Sequence, residues 1–389
     1  MGIVMKITQK IVNKIEGEAN LKIYGEEIVE FVEIEFWQYR GIENYLIGRH
    51  YMDALVINPR ICGICGHSHL FASAKVIEDA FNLKVSKKAE TLRDITVGLE
   101  IIQNHLKWFY ITLFPTRIKD KKYMFKGVSL AREASKIIAL IAGQFPHNSY
   151  IVPGGVTCDL TNLEIFKIKD MLKALFEKVC KEVIDENLNS EDLNTFFNTL
   201  PKDIGKGLND FLVLGDNLFF EKNGSLEYLK EEKNSSLSKN VLYKGKFFEV
   251  GPLARNIENQ KINDIYKKYR DSIYTRISAR LYEMVLVLDY LIKKIEEIEI
   301  NEPSYKKYDK KSGKGKIAIE APRGSLIHEV EIENEIIRKY NIIVPTQFNL
   351  SSSTKENPSA AQAVMMNEKI EFIDTIFKCF DICAVCVSH

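Results

Sequence analysis

Polar and apolar side chains alternate in short runs over residues 8–36, and between 22 and 34 the alternation divides around Gly25, which predicts a hairpin. Past a glycine-marked stretch the period changes. Apolar residues recur at intervals of three and four over 73–114, 130–141, 168–184 and 264–298, the signature of long helices with one buried face. Pro153-Gly154-Gly155 marks a link between two of them. Residues 190–240, rich in Asn, Ser, Lys and Glu, are predicted as a surface excursion, and 301–315 as a loop. Short strands are predicted at 316–319 and 328–332, on either side of Pro322-Arg323-Gly324. A final helix is predicted over 358–380, with Pro358 near its start. The fold class is α+β, a long-helix core with small β elements near the termini. It is read as one domain over 1–389: an N-terminal β/loop region (1–72), a helical core (73–300) and a C-terminal β/loop region with the last helix (301–389).

The 389 residues are enough for a large core, and 54 basic against 53 acidic side chains leave a net charge of +1. That balance gives no footprint for a nucleic acid, and the short basic run at 119–122 reads as solvated surface. No apolar stretch reaches 18 residues, so no membrane span is expected. The N-terminus lacks the apolar segment and cleavage site of an export signal, which points to the cytoplasm.

Cysteine is the informative residue. Seven occur, at 62, 65, 158, 180, 379, 383 and 386, and four of them form two CxxC pairs more than 300 residues apart. Two intervening residues let both thiolates of a pair face one ion. Each pair is followed by a histidine, His69 four residues after Cys65 and His389 three after Cys386. Thiolates select soft or borderline metals. Three readings fit the spacing: a structural zinc site, a dithiol redox centre, or a catalytic metal. Cys158 and Cys180 read as buried thiols, Cys379 has no assigned role, and His50, His67, His105 and His328 read as core or surface residues.

The residues around the pairs narrow the choice. Arg60-Ile61-Cys62-Gly63-Ile64-Cys65 with His69, and Asp381 followed by Cys383, Cys386 and His389, resemble the first and last signatures of nickel-iron hydrogenase large subunits. Lys14-Ile15-Glu16-Gly17-Glu18, Arg40-Gly41-Ile42-Glu43 with Gly48-Arg49, and Pro146-His147 with Gly154-Gly155-Val156 resemble further elements of that family in the same order. So do Glu320-Ala321-Pro322-Arg323-Gly324 and Val344-Pro345-Thr346 with Asn349. The end at His389 is similar to the mature form of these subunits, after removal of a C-terminal extension. Ile382 stands where the family has proline, Glu18 where it has histidine, and Phe114-Pro115-Thr116 where many relatives have Pro-Asp, which marks a divergent subgroup.

The resemblance implies a catalytic subunit that cleaves H2 reversibly and heterolytically to protons and electrons at a nickel-iron centre, with one carbonyl and two cyanides on the iron. Cys62 and Cys383 would be terminal nickel ligands, and Cys65 and Cys386 would bridge nickel and iron. Cys383 would take the proton and Glu16 pass it outward. Arg323, Pro345 and Thr346 would surround the cyanides, His69 would sit near the Cys65 sulfur, and Asp381 would orient Arg323. Glu43, the carbonyl of Ile342 and His389 would hold a second metal, magnesium or iron. No further cysteine cluster can carry electrons, so the resemblance also implies a small subunit with iron-sulfur clusters, docked near the N-terminal segment and the first CxxC. The rival readings are a hydrogen-sensing regulatory subunit with the same metals, and a subunit like that of the quinone site of respiratory complex I, which shares the fold and as a rule lacks the cysteine pairs.

Overall fold

The computed structural model describes residues 7–14, 17–234 and 236–389. Glu16 lies outside the described residues.

The chain opens with an antiparallel sheet of β1 (Ile7–Lys14), β2 (Gly17–Tyr24) and β3 (Phe31–Glu35), in that order. Strands β2 and β3 pair with Tyr24 opposite Phe31. The predicted hairpin is therefore present and has gained a third strand. Alternation sets its buried face, where Leu21, Ile23, Val32 and Ile34 are fully enclosed. Gly25, at φ 129°, takes the turn in a conformation that only glycine adopts readily.

Helix α1 (Ile42–Leu46) leads to the first cysteine loop. The long helices follow: α2 (Gly66–Phe81), α3 (Lys87–Lys107), α4 (Lys121–Ala142) and α5 (Asn162–Glu182). The period over 73–114 is thus split. Asn82, in the left-handed region at φ 52°, ends α2, and the Ser86 hydroxyl accepts from the Ala89 N–H to start α3. Helix α3 runs on through a wide π-type turn at Trp108–Leu113.

The polar stretch is not all surface. Helix α6 (Glu191–Phe197) buries Leu193, Phe196 and Phe197, and Leu212, Val213 and Leu214 are buried after it. A hairpin of β4 (Leu229–Lys233) and β5 (Lys239–Tyr243) follows. Polar composition hid these few apolar anchors. The period over 264–298 is also split, into α7 (Gln260–Tyr269) and α8 (Ile273–Glu296). Arg270 turns at φ 57°, and Ser272 caps the second helix, so a good N-cap breaks the run with no glycine or proline present. Helix α8 crosses α3 where Gly98 lets Leu291 and Val287 approach its backbone.

A second antiparallel sheet takes the order β8–β7–β6, from β6 (Gly313–Ala321), β7 (Gly324–Glu333) and β8 (Ile336–Ile343). These strands are longer than predicted, and Pro322 and Arg323 form the two-residue turn between β6 and β7. The short helix α9 (Pro345–Asn349) carries proline at its first position.

The single helix predicted over 358–380 is two helices, α10 (Ala360–Met365) and α11 (Ile373–Lys378). The reason is tertiary. Backbone at 367–370 is drawn into pairing with the N-terminal sheet, where Asn367 N–H donates to the Val29 carbonyl at 2.7 Å and Val29 N–H to that of Glu368 at 2.9 Å. Helix α12 (Ala384–Val387) ends the chain. No helix among the described residues is long and apolar enough to cross a membrane.

Candidate metal centre

Each cysteine pair sits where a loop turns into a helix. Cys65 immediately precedes α2, and Cys383 immediately precedes α12. A helix start directs N–H groups toward the sulfurs, which favours thiolate; the Cys65 N–H lies 3.1 Å from the Cys62 sulfur. The fold brings the pairs face to face. The sulfur of Cys62 is 3.7 Å from that of Cys383, Cys65 is 3.5 Å from Cys386, and Cys383 is 2.8 Å from Cys386. Cys62 and Cys65 are in disulfide contact. All four sulfurs lie within 4.8 Å of one another and are buried.

Arg40 ties the two loops together. Its guanidinium donates to the carbonyl of Ile61 at 2.7 Å and to that of Val385 at 2.5 Å, and its backbone N–H donates to the Ser388 carbonyl at 2.6 Å.

A small cavity opens beside the sulfurs. Cys65, Ser68 and His69 form one wall, Cys383 and Cys386 another, and Pro322, Arg323, Pro345 and Thr346 face them. Strand geometry explains Arg323: the tight turn between β6 and β7 pushes it toward the cysteines. Its Nε donates to the Asp381 carbonyl at 2.8 Å and Nη2 to Asp381 Oδ1 at 3.0 Å. Arg280 of α8 donates to the other oxygen of Asp381 at 2.6 Å and lies over the Trp108 ring. Thr346 Oγ1 accepts from the Cys383 N–H at 3.4 Å.

The hydrogen bond from Cys386 holds the Cys383 thiol down at about 7 against the cost of burial, and the Arg323 charge helps. Burial pushes Cys386 well up. Cys383 is thus the more acidic sulfur of the pair.

His69 lies in the cavity wall, but its Nδ1 is 3.3 Å from His328 Nε2, and His328 Nδ1 is 2.8 Å from the Tyr340 hydroxyl. His328, read from sequence as a core or surface residue, thus joins the ring network behind the site. Burial drives both imidazoles down, His69 to about 3, so both are neutral.

The residues expected at a second metal also meet. His389 Nε2 lies 2.9 Å from the Ile342 carbonyl oxygen and 3.7 Å from Glu43 Oε1, and Glu43 Oε1 accepts from the Ile342 N–H at 2.6 Å. Bond lengths of ~2.1 Å in an octahedral shell put neighbouring donor atoms roughly 3 Å apart. A carboxylate, a carbonyl and an imidazole at these separations suit a hard divalent cation.

Sequence reasoning passed over Arg280, Asn104, Ser68 and Glu100. Asn104 Oδ1 lies 3.4 Å from Arg323 Nη1, and Glu100 accepts from the hydroxyl and N–H of Ser68. Arg280, Asn104 and Glu100 sit on long helices with no local motif, and Ser68, inside the first cysteine segment, is marked only by its bonds to Glu100.

The donor set matches a soft-metal centre and not a dithiol alone, since four sulfurs from both chain ends converge under one guanidinium. The family model described as nickel-dependent hydrogenase matches residues 40–113 and 219–389. Coenzyme F420 hydrogenase subunit alpha of Methanothermobacter thermautotrophicus is 27% identical over 367 residues, spanning 90% of this chain and 85% of the relative. Sulfhydrogenase 2 subunit alpha of Pyrococcus furiosus is 27% identical over 383 residues, 90% of each. In fold the chain matches a variant of the [NiFeSe] hydrogenase of Desulfovibrio vulgaris Hildenborough, with a TM-score of 0.89 over 99% of both chains at 20% identity. On the converging cysteines and the extent of these matches, the chain belongs to the nickel-dependent hydrogenase family and is one of its catalytic large subunits.

Proposed function

We propose that the chain cleaves H2 reversibly into protons and electrons at a nickel-iron centre held by Cys62, Cys65, Cys383 and Cys386. The observation that carries this is the convergence of four buried sulfurs within 4.8 Å beneath Arg323. When bound, that centre, with one carbonyl and two cyanides on its iron, supplies the polarisation of the H–H bond and the redox change.

The protein's share is positioning and proton handling. In this reading Cys62 and Cys383 would hold nickel, and Cys65 and Cys386 would be shared between nickel and iron. All four serve as thiolates. Cys383, a terminal ligand in this reading, would take up the proton released in the pocket. Glu16 takes that proton onward. Arg323, fixed by Asp381, would offer a charged donor to a cyanide on the iron, and the Thr346 hydroxyl and the wall at Pro345 would frame the other iron ligands. His69 and His328, neutral and hydrogen-bonded, hold the wall beside Cys65 without adding charge. Glu43, the Ile342 carbonyl and His389 would hold magnesium or iron, which would fasten His389 to the β8 strand.

Electrons leave through an iron-sulfur small subunit. Exposed Trp37, Tyr39, Tyr45, Ile47 and Val56 lie in the stretch of chain that leads into the first cysteine loop and suit such a contact. The relatives' designation as subunit alpha supports a multi-subunit assembly. This reading puts the heterodimer in the cytoplasm, with a membrane-associated or periplasmic location through the small subunit as the alternative.

The test is an infrared spectrum of the anaerobically purified complex. Carbonyl and cyanide bands, lost when Cys65 is changed to Ala, bear the reading out. Their absence from a sample with full nickel and iron content overturns it.

A further inference from the structure

The turn that carries Arg323 is held from behind by a second arginine. Arg255 belongs to the short helix Pro252–Asn256, and its side chain is fully enclosed. Its Nε donates to Glu283 Oε2 at 2.9 Å and its Nη2 to Glu283 Oε1 at 2.6 Å, a two-point grip that sets the plane of the guanidinium. The other three N–H groups go to the end of β6 and to the turn. Nη1 donates to Glu320 Oε2 at 3.1 Å and to the Ala321 carbonyl at 2.7 Å, and Nη2 to the Pro322 carbonyl at 3.3 Å. All five donors of the guanidinium are thus used, and the Phe220 ring lies 4.6 Å from it. The residue before this helix also touches the turn. A Cβ on Gly251 would come within 2.7 Å of the Arg323 carbonyl oxygen, so glycine is needed for the approach.

Glu283 lies three residues after Arg280, so the two share a face of α8. Arg280 holds Asp381, which grips the Arg323 guanidinium. Glu283 holds Arg255, which grips the two carbonyls just before Arg323. One helix face therefore fixes both the side chain and the backbone of the residue that fronts the cysteines.

We infer that Arg255 is a positioning residue for Arg323: it ties the backbone of the β6–β7 turn to α8 and so aims the Arg323 guanidinium at the cysteine pocket. Arg255 itself does not line that pocket and acts through the turn. Its effect on H2 chemistry rests on the hydrogenase reading, whereas its hold on Arg323 does not. A lysine cannot stand in for it. An ammonium has three donors and no plane, so it keeps the charge opposite Glu283 but loses part of the grip on the turn.

The test follows the arginine Nε–H signals of the full-length chain, free of metal and labelled with nitrogen-15 at that atom. The Arg323 Nε–H, which donates to the Asp381 carbonyl, is identified by its absence from Arg323→Lys. In Arg255→Lys its exchange with solvent should rise about tenfold or more. The Arg276 Nε–H, bonded to Glu249 at 2.9 Å and also on α8, should keep its rate. If Arg255→Lys does not fold, Glu283→Gln decides, with the same selective change expected at smaller size. Unchanged Arg323 exchange, or an equal rise at Arg276 in a folded variant, overturns the inference. In the loaded complex, Arg255→Lys should shift the cyanide stretches as Arg323→Lys does, with the nickel retained; unshifted bands also overturn it. Absence of those bands from the wild-type complex takes down the hydrogenase reading and leaves the hold on Arg323 to be decided by the exchange rates.

Discussion

Arg323 and Asp381 grip each other twice, once through the side-chain pair at 3.0 Å and once through the arginine Nε and the aspartate carbonyl at 2.8 Å. The residue that faces the pocket from the second sheet is therefore held by the residue that opens the second cysteine loop. Asp381 sits at φ 54° to make this fit, a conformation that Asp tolerates better than most residues. Arg280 takes its remaining oxygen.

Removing that shared anion should be costly. Asp381→Asn leaves Arg280 and Arg323 buried and short of their common counter-charge. A loss of about 3–5 kcal/mol is expected from denaturant unfolding of the complex. Arg323→Lys should keep the fold and the nickel but lower H2 turnover at least tenfold, since an ammonium cannot hold both the Asp381 side chain and its carbonyl while facing the cavity. Full turnover in Arg323→Lys would remove the guanidinium from the site.

Glu43→Gln tests the proposed second metal apart from the first. The amide oxygen can still accept from the Ile342 N–H, but the charge is gone. Metal analysis should show the magnesium or iron at this site lost and the nickel retained. Amide exchange over 384–389 should rise by an order of magnitude or more. Unchanged metal content would rule out this carboxylate as a ligand.

Acid should destabilise the protein below about pH 6.5 through its buried histidines. Burial lowers His67 to about 3 and His105 to about 4, the latter against the pull of Glu283. Their folded pKa values lie below the unfolded one, so the unfolded chain binds more protons between the two, and stability is full above pH 6.5 and falls as the pH drops. At pH 5.5 each contributes a loss of about 1 kcal/mol relative to pH 7.5. Denaturation midpoints at the two pH values check this, and His67→Gln should remove one share of the difference.

Gly127 of α4 lies against Tyr110, which is fully buried, and a methyl group there would overlap the tyrosine Cβ. Gly127→Ala should lower stability by about 1–3 kcal/mol despite its better helix propensity. A rise in the thermal midpoint would show that the aromatic cluster can yield.

The sequence carried the fold wherever period and local chemistry agreed. Alternation at Leu21, Ile23, Val32 and Ile34 marks the first sheet, and the three-four spacing marks the long helices. It misled where the deciding contact was remote. The span 358–380 reads as one helix, yet residues 367–370 pair with residues 27–29, a partnership that local pattern does not encode. The cysteines, Arg323 and Glu43 were legible through short motifs. Arg280 and Glu100 were not, since each is one charge on a long helix and gains meaning only from what packs against it.

The sulfur contacts Cys62–Cys383 and Cys65–Cys386 each span 321 residues. Closing a loop of that length costs about 5 kcal/mol of chain entropy beyond a constant, so the centre is a clasp fastened across the whole chain. A nascent chain still on the ribosome offers only one half of it, and a metal that meets the protein early finds two thiolates and no Arg323. The full donor set exists only after synthesis has passed Cys386.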